Sequence, residues 1–170
     1  YAERLAARAP SFTPIRKALE GPPTLVDRLM DQISRELIRK HRPDLVGITI
    51  PFPGNVYGAF RIARAARRMS PRPRIVIGGG YVSTELRELS DPRVFDYVDY
   101  AVLDDGELPL LALVEHLEGR RPAGQLVRTL ERVRGRVVLR DAPGASDISH
   151  RDKPAPIYRG LNLNRYVSMA

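Results

Sequence analysis

Three consecutive glycines, Gly78, Gly79 and Gly80, directly follow an apolar run at residues 74–77. Residues 81–85 then have the polar character of a helix start, so this stretch predicts a strand, a turn without side chains and a helix. In an open parallel sheet such a turn lies at the carboxyl end of its strand, where ligands bind. Glycine lets the main chain approach a flat or bulky ligand, but glycines at such turns also serve plain packing. Both roles stay open at this point.

Similar units of strand and helix precede and follow the glycine turn. The predicted strands are residues 45–50, 75–77 and 98–103, and the predicted helices are residues 55–69, 83–89 and 109–119. A further helix is expected to begin at Thr24, with Asp27 in a capping-box position, and to end before Pro43. This alternation predicts an α/β fold: a Rossmann-like, flavodoxin-like parallel sheet with helices on both faces.

The segments outside this alternation have a different composition. A proline-rich start with a short helix at residues 3–9 indicates a wrapping segment, and two short strands at residues 125–130 and 136–140 indicate a hairpin around Gly135. The C-terminal residues are rich in proline, glycine, asparagine and aspartate, as in an extended linker. The predicted divisions are residues 1–23 (wrapping segment), 24–120 (α/β domain), 121–140 (β-hairpin) and 141–170 (linker).

The three loops that follow the predicted strands are expected to line one crevice, because parallel strands all end at the same edge of a sheet. They would give it a rigid proline wall, a floor of bare backbone and an acidic rim, which suits a large, flat ligand that carries amides. Each loop also has a structural explanation, since prolines rigidify a crossover, glycines permit packing and acids complement a helix dipole. The candidate binding residues are Thr49, Pro51, Phe52, Gly54, Asn55, Gly78, Gly79, Gly80, Tyr81, Asp104, Asp105, Gly106 and Glu107.

Composition excludes several classes of protein. The chain has no cysteine, which excludes disulfides, thiolate metal sites and cysteine nucleophiles within it. No apolar stretch approaches the roughly 20 residues of a membrane span, and no signal-peptide pattern is present, so a cytoplasmic protein is expected. The glycine-rich fingerprint of dinucleotide-binding folds and the P-loop are both missing. No nucleophile–base pair or acid–base carboxylate pair stands out, so we predict neither a catalytic residue nor a metal site. The absence of an initiator methionine suggests a piece of a longer protein.

The net charge of +8 raises the question of nucleic-acid binding. Aromatic residues make up 6% of the chain and do not alternate with the basic ones, so a nucleic-acid surface is not favoured. Such a surface would show affinity that falls steeply with salt. A solvated face, or one towards a missing partner domain, is the preferred explanation for the tightest basic group, expected on the outer side of a helix: Arg61, Arg64, Arg67 and Arg68.

Taken together, these residues resemble the cobalamin-binding domain that precedes the catalytic barrel in many radical S-adenosylmethionine (SAM) proteins. The matching stretches are RPDLVGITI at 42–50, IVIGGG at 75–80, YVDY at 97–100 and DDGE at 104–107. The resemblance covers roughly residues 24–120, and residues 154–168 resemble the linker that enters the barrel in a subgroup of these proteins. The barrel's Cys-x3-Cys-x2-Cys motif would come after Ala170.

The resemblance implies cobalamin as the cofactor and the barrel of the same polypeptide as the partner. That barrel would bind SAM and a [4Fe-4S] cluster outside this chain, and the parent would be a radical SAM enzyme of methyltransferase type. Residues 49–55 would lie under the lower corrin face, residues 78–80 would let the nucleotide tail pass, and residues 104–107 would bound its far side. Tyr81 would stack there, form a hydrogen bond or plug the site.

Two departures from the family pattern limit what the resemblance implies. The family has a five-stranded parallel core, of which three strands are found here. The Asp-x-His-x-x-Gly motif that supplies a lower axial histidine to cobalt in some cobalamin enzymes is missing, and His41, His116 and His150 are all expected to be surface residues. We therefore predict cobalamin binding without a histidine on cobalt. The alternative is a degenerate domain that has lost cobalamin and acts as a scaffold or a cover that recognises substrate for the barrel. An open crevice would favour the cofactor, and one filled by Phe52 and Tyr81 the scaffold.

Overall fold

The computed structural model describes residues 11–149, 151–153, 155 and 157–162. Within these residues, five strands form one mixed sheet in the order β1-β2-β3-β4-β5. The strands are β1 (Leu45–Thr49), β2 (Arg74–Gly78), β3 (Tyr100–Val102), β4 (Thr129–Val133) and β5 (Arg136–Arg140). β1, β2 and β3 are parallel, as predicted, and the two strands of the hairpin are antiparallel. The α/β fold class is therefore confirmed.

The hairpin joins the sheet instead of standing apart from it, because β4 pairs with β3. Its turn has Arg134 and Gly135 at φ 48° and 80°, the left-handed pair that a tight two-residue hairpin requires. The first strand of the hairpin begins at Thr129, four residues later than the pattern predicts, since Ala123–Gln125 forms a short 3-10 turn. The burial of Leu130 in the core holds β4 against the rest of the sheet.

Helices cover both faces of the sheet, as predicted. They are α1 (Thr13–Glu20), α2 (Leu25–His41), α3 (Val56–Arg67), α4 (Gly80–Glu85) and α5 (Glu107–Leu117). The larger core joins α1, α3 and α4 to one face, where Ile75 and Ile77 of β2 are buried. A smaller cluster on the other face joins Leu113 of α5 to Val76 and Val102. Among the described residues, no helix is both long and apolar enough to cross a membrane.

Helix α1 lies within the segment that the sequence presents as wrapping. Proline stands in its first turn, a position that a helix tolerates, and Ile15 and Leu19 are buried. Phe12, just before the helix, packs on Phe60 and Tyr97 with ring centroids 4.9 and 5.5 Å apart. The described part of the segment, residues 11–23, is therefore partly helical, and Phe12, Ile15 and Leu19 belong to the core. The helix predicted at residues 3–9 lies outside the described residues.

Helix α2 has the predicted capping box and ends as predicted before Pro43. The Thr24 hydroxyl accepts a hydrogen bond from the Asp27 N–H at 3.2 Å, and the carboxylate of Asp27 accepts one from the Thr24 N–H at 2.8 Å. Its apolar stripe, however, faces outward. The side that packs on α3 carries Asp27, Ser34 and Ile38, whereas the exposed large apolar residues are Leu25, Val26, Leu29, Ile33 and Leu37, at 49% to 65% exposure.

The expectation that Arg61 lies on an outer helix face is wrong. Arg61 is only 2% exposed, because α2 packs against this side of α3. Its Nε and Nη2 each donate to a carboxylate oxygen of Asp31 at 2.8 Å, so the guanidinium is held by a two-point ion pair. Arg68, at the end of the same helix, is exposed as expected. Helical spacing alone did not reveal that a neighbouring helix covers part of this face.

Candidate functional site

A groove of about 570 Å³ lies at the carboxyl edge of the three parallel strands. We call it the edge groove. Its lining comprises Gly47, Ile48, Thr49, Val76, Ile77, Gly78, Gly79, Val102, Asp104, Asp105, Gly106, Glu107 and Leu110. The groove is open, and it lies on the α5 side of the sheet, where Val76 and Val102 belong to the smaller cluster.

The structure brings together seven of the predicted residues in this lining: Thr49, Gly78, Gly79, Asp104, Asp105, Gly106 and Glu107. Pro51, Phe52, Gly54, Asn55, Gly80 and Tyr81 lie outside it. Phe52, in the loop after β1, is 70% exposed, whereas Tyr81 is buried in the larger core on the opposite face. Neither ring fills the groove, so Tyr81 does not plug the site. Asn55 precedes α3 but makes no side-chain capping bond.

The chain's own packing restricts side chains at the glycine triplet, most strongly at Gly79. Gly79 has φ 100° and ψ 179°, a region essentially closed to other residues. A β-carbon there would lie 2.9 Å from the Ile50 carbonyl oxygen and 3.1 Å from the Ile50 nitrogen. At Gly78 it would lie 2.9 Å from Cγ2 of Val102, and at Gly80 3.2 Å from the Pro51 carbonyl oxygen. The packing explanation therefore accounts for Gly79 without a ligand, and β-carbons at Gly78 and Gly80 would require Val102 and Pro51 to shift.

Two other glycines leave room in the groove. A β-carbon at Gly47 would meet nothing closer than Cγ1 of Val76 at 3.9 Å, and one at Gly106 would meet nothing within 4 Å. The fold would accept side chains at both positions, and there they would project into free space. Sequence reasoning missed Gly47, although an isolated glycine within a strand pattern signals close approach of another group. It also missed Leu110, an apolar side chain 41% exposed on α5.

Hydrogen bonds connect the three loops to one another. Ile50 N–H donates to the Gly78 carbonyl at 2.7 Å, and the Tyr81 N–H donates to the Ile50 carbonyl at 3.1 Å. The Ser83 hydroxyl donates to the Gly79 carbonyl at 3.1 Å and accepts from the Asp104 N–H at 2.8 Å. Asp104 is left-handed, with φ 61°, a conformation that aspartate tolerates better than most residues. The loops therefore form one framework connected by the chain's own hydrogen bonds.

The acidic rim is not a free negative surface. We define the rim as Asp104, Asp105 and Glu107. Asp104 pairs with Arg87 and lies 3.8 Å from Nε of Arg128. Nζ of Lys153 lies 2.6 Å from Asp105 Oδ2 and 3.7 Å from Glu107 Oε1. The expected negative rim is thus neutralised by the chain's own cations, which the sequence pattern did not reveal because those cations are 17 to 48 residues away.

The histidines lie away from the edge groove where the structure describes them. His41 is exposed at the end of α2, as expected. His116 is half-buried rather than a free surface residue, and its Nδ1 lies 2.8 Å from the Arg121 carbonyl oxygen. His150 lies outside the described residues. Neither described histidine contributes to the groove lining.

Comparisons with known proteins bear on this groove. A family model described as the B12 binding domain matches residues 24–114. Molybdenum cofactor sulfurase of Drosophila willistoni is 30% identical over 96 residues, which cover 54% of this chain and 12% of that protein. An uncharacterized methyltransferase of Pyrococcus horikoshii is 29% identical over 147 residues, which cover 84% of this chain and 31% of that protein. The chain thus spans less than a third of either relative. No solved structure was found to match.

Proposed function

The chain belongs to the B12-binding domain family, and on that premise we propose that it binds cobalamin in the edge groove. The observation that carries the proposal is the open space over Gly47 and Gly106, where the fold needs no glycine and a side chain would obstruct a ligand. The groove also lies at the carboxyl ends of parallel strands, the usual ligand position in such sheets. The hydrogen bonds between its loops hold the groove lining in one arrangement.

The groove residues offer cobalamin mainly backbone and apolar contact. Gly47 and Thr49 of β1 would border the inserted part of the ligand, and Val76 and Val102 would form its floor. Phe52, 70% exposed in the loop that follows β1, would offer an apolar surface to the corrin. When bound, cobalamin supplies a cobalt centre capable of carrying a methyl group. This chain would hold and orient the cofactor, and it would restrict the access of water to the part of the cofactor that lies in the groove.

We further propose that no histidine of this domain binds the cobalt. The two described histidines lie outside the groove lining, and neither belongs to an Asp-x-His-x-x-Gly motif. In that case no side-chain nitrogen of the described residues would coordinate the cobalt. The visible spectrum reports this state directly, because the spectrum of base-off cobalamin differs from that of the base-on form.

The parent protein would be a radical SAM enzyme of methyltransferase type, with SAM and a [4Fe-4S] cluster bound by a barrel in the same polypeptide. The support for methyl transfer is the uncharacterized methyltransferase, which matches 84% of this chain. The support for a neighbouring domain is the outward apolar stripe of α2, since contiguous exposed apolar surface marks an interaction site. Iron and sulfide analysis of the longer polypeptide after anaerobic reconstitution tests the cluster. Absence of iron there would refute the radical SAM assignment.

Titration of the purified chain with hydroxocobalamin and methylcobalamin tests the cofactor proposal, with the visible spectrum and the heat of binding as readouts. We expect saturable binding and a shift to the base-off spectrum. Gly47→Val should weaken binding at least about tenfold, because its side chain enters the groove while valine suits a strand. Gly124→Val is the matched control, since Gly124 lies outside the groove with nothing within 4 Å of its β-carbon position.

If neither this chain nor the longer polypeptide binds either cobalamin, the cofactor proposal fails and a scaffold role remains. The specific observation that favours the scaffold is the neutralised rim, whose carboxylates already have cationic partners. Equal binding by Gly47→Val and the wild type would place the ligand elsewhere on the chain.

A further inference from the structure

The segment after the hairpin returns to the edge groove. The Ala142 N–H donates to the Leu126 carbonyl at 2.9 Å, which sets the direction of the segment as it leaves β5. Asp147 then pairs with Arg128, and a turn follows in which the Asp152 and Lys153 N–H groups both donate to the Ser149 carbonyl, at 2.9 and 3.2 Å. We call residues 141–149 and 151–153 the strap.

The strap is attached to the groove rim through Lys153. Its ammonium group lies 2.6 Å from Asp105 and 3.7 Å from Glu107, and both of these residues line the groove. The Lys153 side chain is 19% exposed, so it lies against the protein rather than extending into solvent. Asp105 and Glu107 are about half exposed, at 56% and 49% of their side-chain surface, so the attachment is open to water and to salt.

We propose that the strap is a displaceable cover that competes with cobalamin for the rim, an inference that rests on the function proposed above. The groove holds about 570 Å³, less than a corrin with its nucleotide tail occupies, so part of the ligand must extend past the border of the groove, which includes the rim. That is where Lys153 holds the strap. The corrin's amide side chains also present N–H donors, which suit the carboxylates that Lys153 occupies.

The strap therefore links occupancy of the groove to the position of the chain that follows it. With the groove empty, Lys153 stays on the rim. With cobalamin bound, Lys153 leaves the rim and the strap is no longer attached there. Cofactor binding would therefore change how freely the chain after the strap can move relative to the groove.

The binding test uses Lys153→Ala with Lys40→Ala as the matched control, since Lys40 is exposed on α2 and has no ion pair among the described residues. Loss of Lys153 should tighten hydroxocobalamin binding, because the ligand then no longer has to displace the ion pair that holds the strap. The effect should be about two- to fivefold, since an exposed ion pair is worth little free energy. Raising the salt concentration should tighten binding to the wild type and leave Lys153→Ala unchanged. Weaker binding by Lys153→Ala, or no difference from Lys40→Ala, would overturn the competition.

Limited trypsin digestion tests the attachment without relying on the cofactor. Arg151 and Arg159, exposed residues within and after the strap, provide cleavage sites that mass spectrometry can follow. Lys153→Ala should be cut faster than the wild type with no ligand present, and hydroxocobalamin should speed cleavage of the wild type. Equal rates for the two chains without ligand would show that the strap is not attached. Slower cleavage with hydroxocobalamin would make the strap a clamp and overturn its displacement.

The binding and digestion measurements together distinguish failure of the cofactor proposal from failure of the strap proposal. If neither the wild-type chain nor the longer polypeptide binds cobalamin, yet the wild type is cut more slowly than Lys153→Ala, the cofactor function and the competition are refuted while the attachment stands. A wild type that binds cobalamin but shows no effect of Lys153 in either assay would refute the strap alone.

Discussion

Replacing Gly79 by alanine tests why the glycine triplet is present. Gly79 has φ 100° and ψ 179°, where a residue with a β-carbon is strained by about 1–3 kcal/mol. The new methyl group would also lie 2.9 Å from the Ile50 carbonyl oxygen and 3.0 Å from Cγ2 of Thr49. The backbone of Ile50 cannot withdraw freely, because its N–H donates to the Gly78 carbonyl and its carbonyl accepts from the Tyr81 N–H.

Strain and overlap together should lower the free energy of unfolding by about 2–4 kcal/mol, a large part of the stability of a domain of this size. Urea denaturation followed by circular dichroism measures this change, provided that the slope with urea stays that of the wild type. Gly106→Ala is the control: Gly106 has φ −71°, and nothing lies within 4 Å of its β-carbon position. Its unfolding free energy should change by less than about 1 kcal/mol.

The result that would refute this reasoning is a loss below about 1 kcal/mol for Gly79→Ala, no larger than that for Gly106→Ala. The turn would then tolerate a side chain, and the glycines would have to be explained by a ligand after all. A large loss for Gly79→Ala alone would show that Gly79 is needed to join the loops after β1 and β2.

Two further predictions concern the contacts between α2 and α3. Arg61→Ala leaves a largely buried carboxylate without its partner, so we expect a loss of about 3 kcal/mol in urea unfolding, against less than about 0.5 kcal/mol for the exposed Arg68→Ala. Similar losses for the two variants would contradict the buried pair. Burial opposes ionisation of Asp27, but hydrogen bonds from Thr24 and Tyr57 outweigh it and lower its pKa. The stability from Asp27 should therefore be present above about pH 4 and be lost as the pH falls through the lowered folded-state pKa, so Asp27→Asn should show a smaller drop in urea midpoint between about pH 7 and pH 3. An equal drop for the variant and the wild type would refute this role.

Local sequence determined the elements that depend on near neighbours. Short apolar runs specify β1 and β2. In β2 the run is buried, as expected for a strand inside a parallel sheet, whereas β1 is an edge strand and stays partly exposed. Thr24 and Asp27 specify the start of α2 because each satisfies a backbone N–H at the helix terminus. The meeting of the three loops at one edge followed from the parallel order of the strands. For the same reason, seven of the thirteen candidate residues line the edge groove.

Only the tertiary structure decided what each of these residues contacts. Spacing along α3 placed Arg61 towards solvent, but α2 covers that position. The sequence pattern also gave no partners for the rim carboxylates, whereas in the folded chain Arg87 pairs with Asp104 and Lys153 with Asp105. The glycine triplet looked like space for a ligand, whereas the space lies over Gly47 and Gly106. Periodicity reports which side of an element is apolar, but burial and pairing depend on residues distant in sequence that reach the same place only when the chain folds.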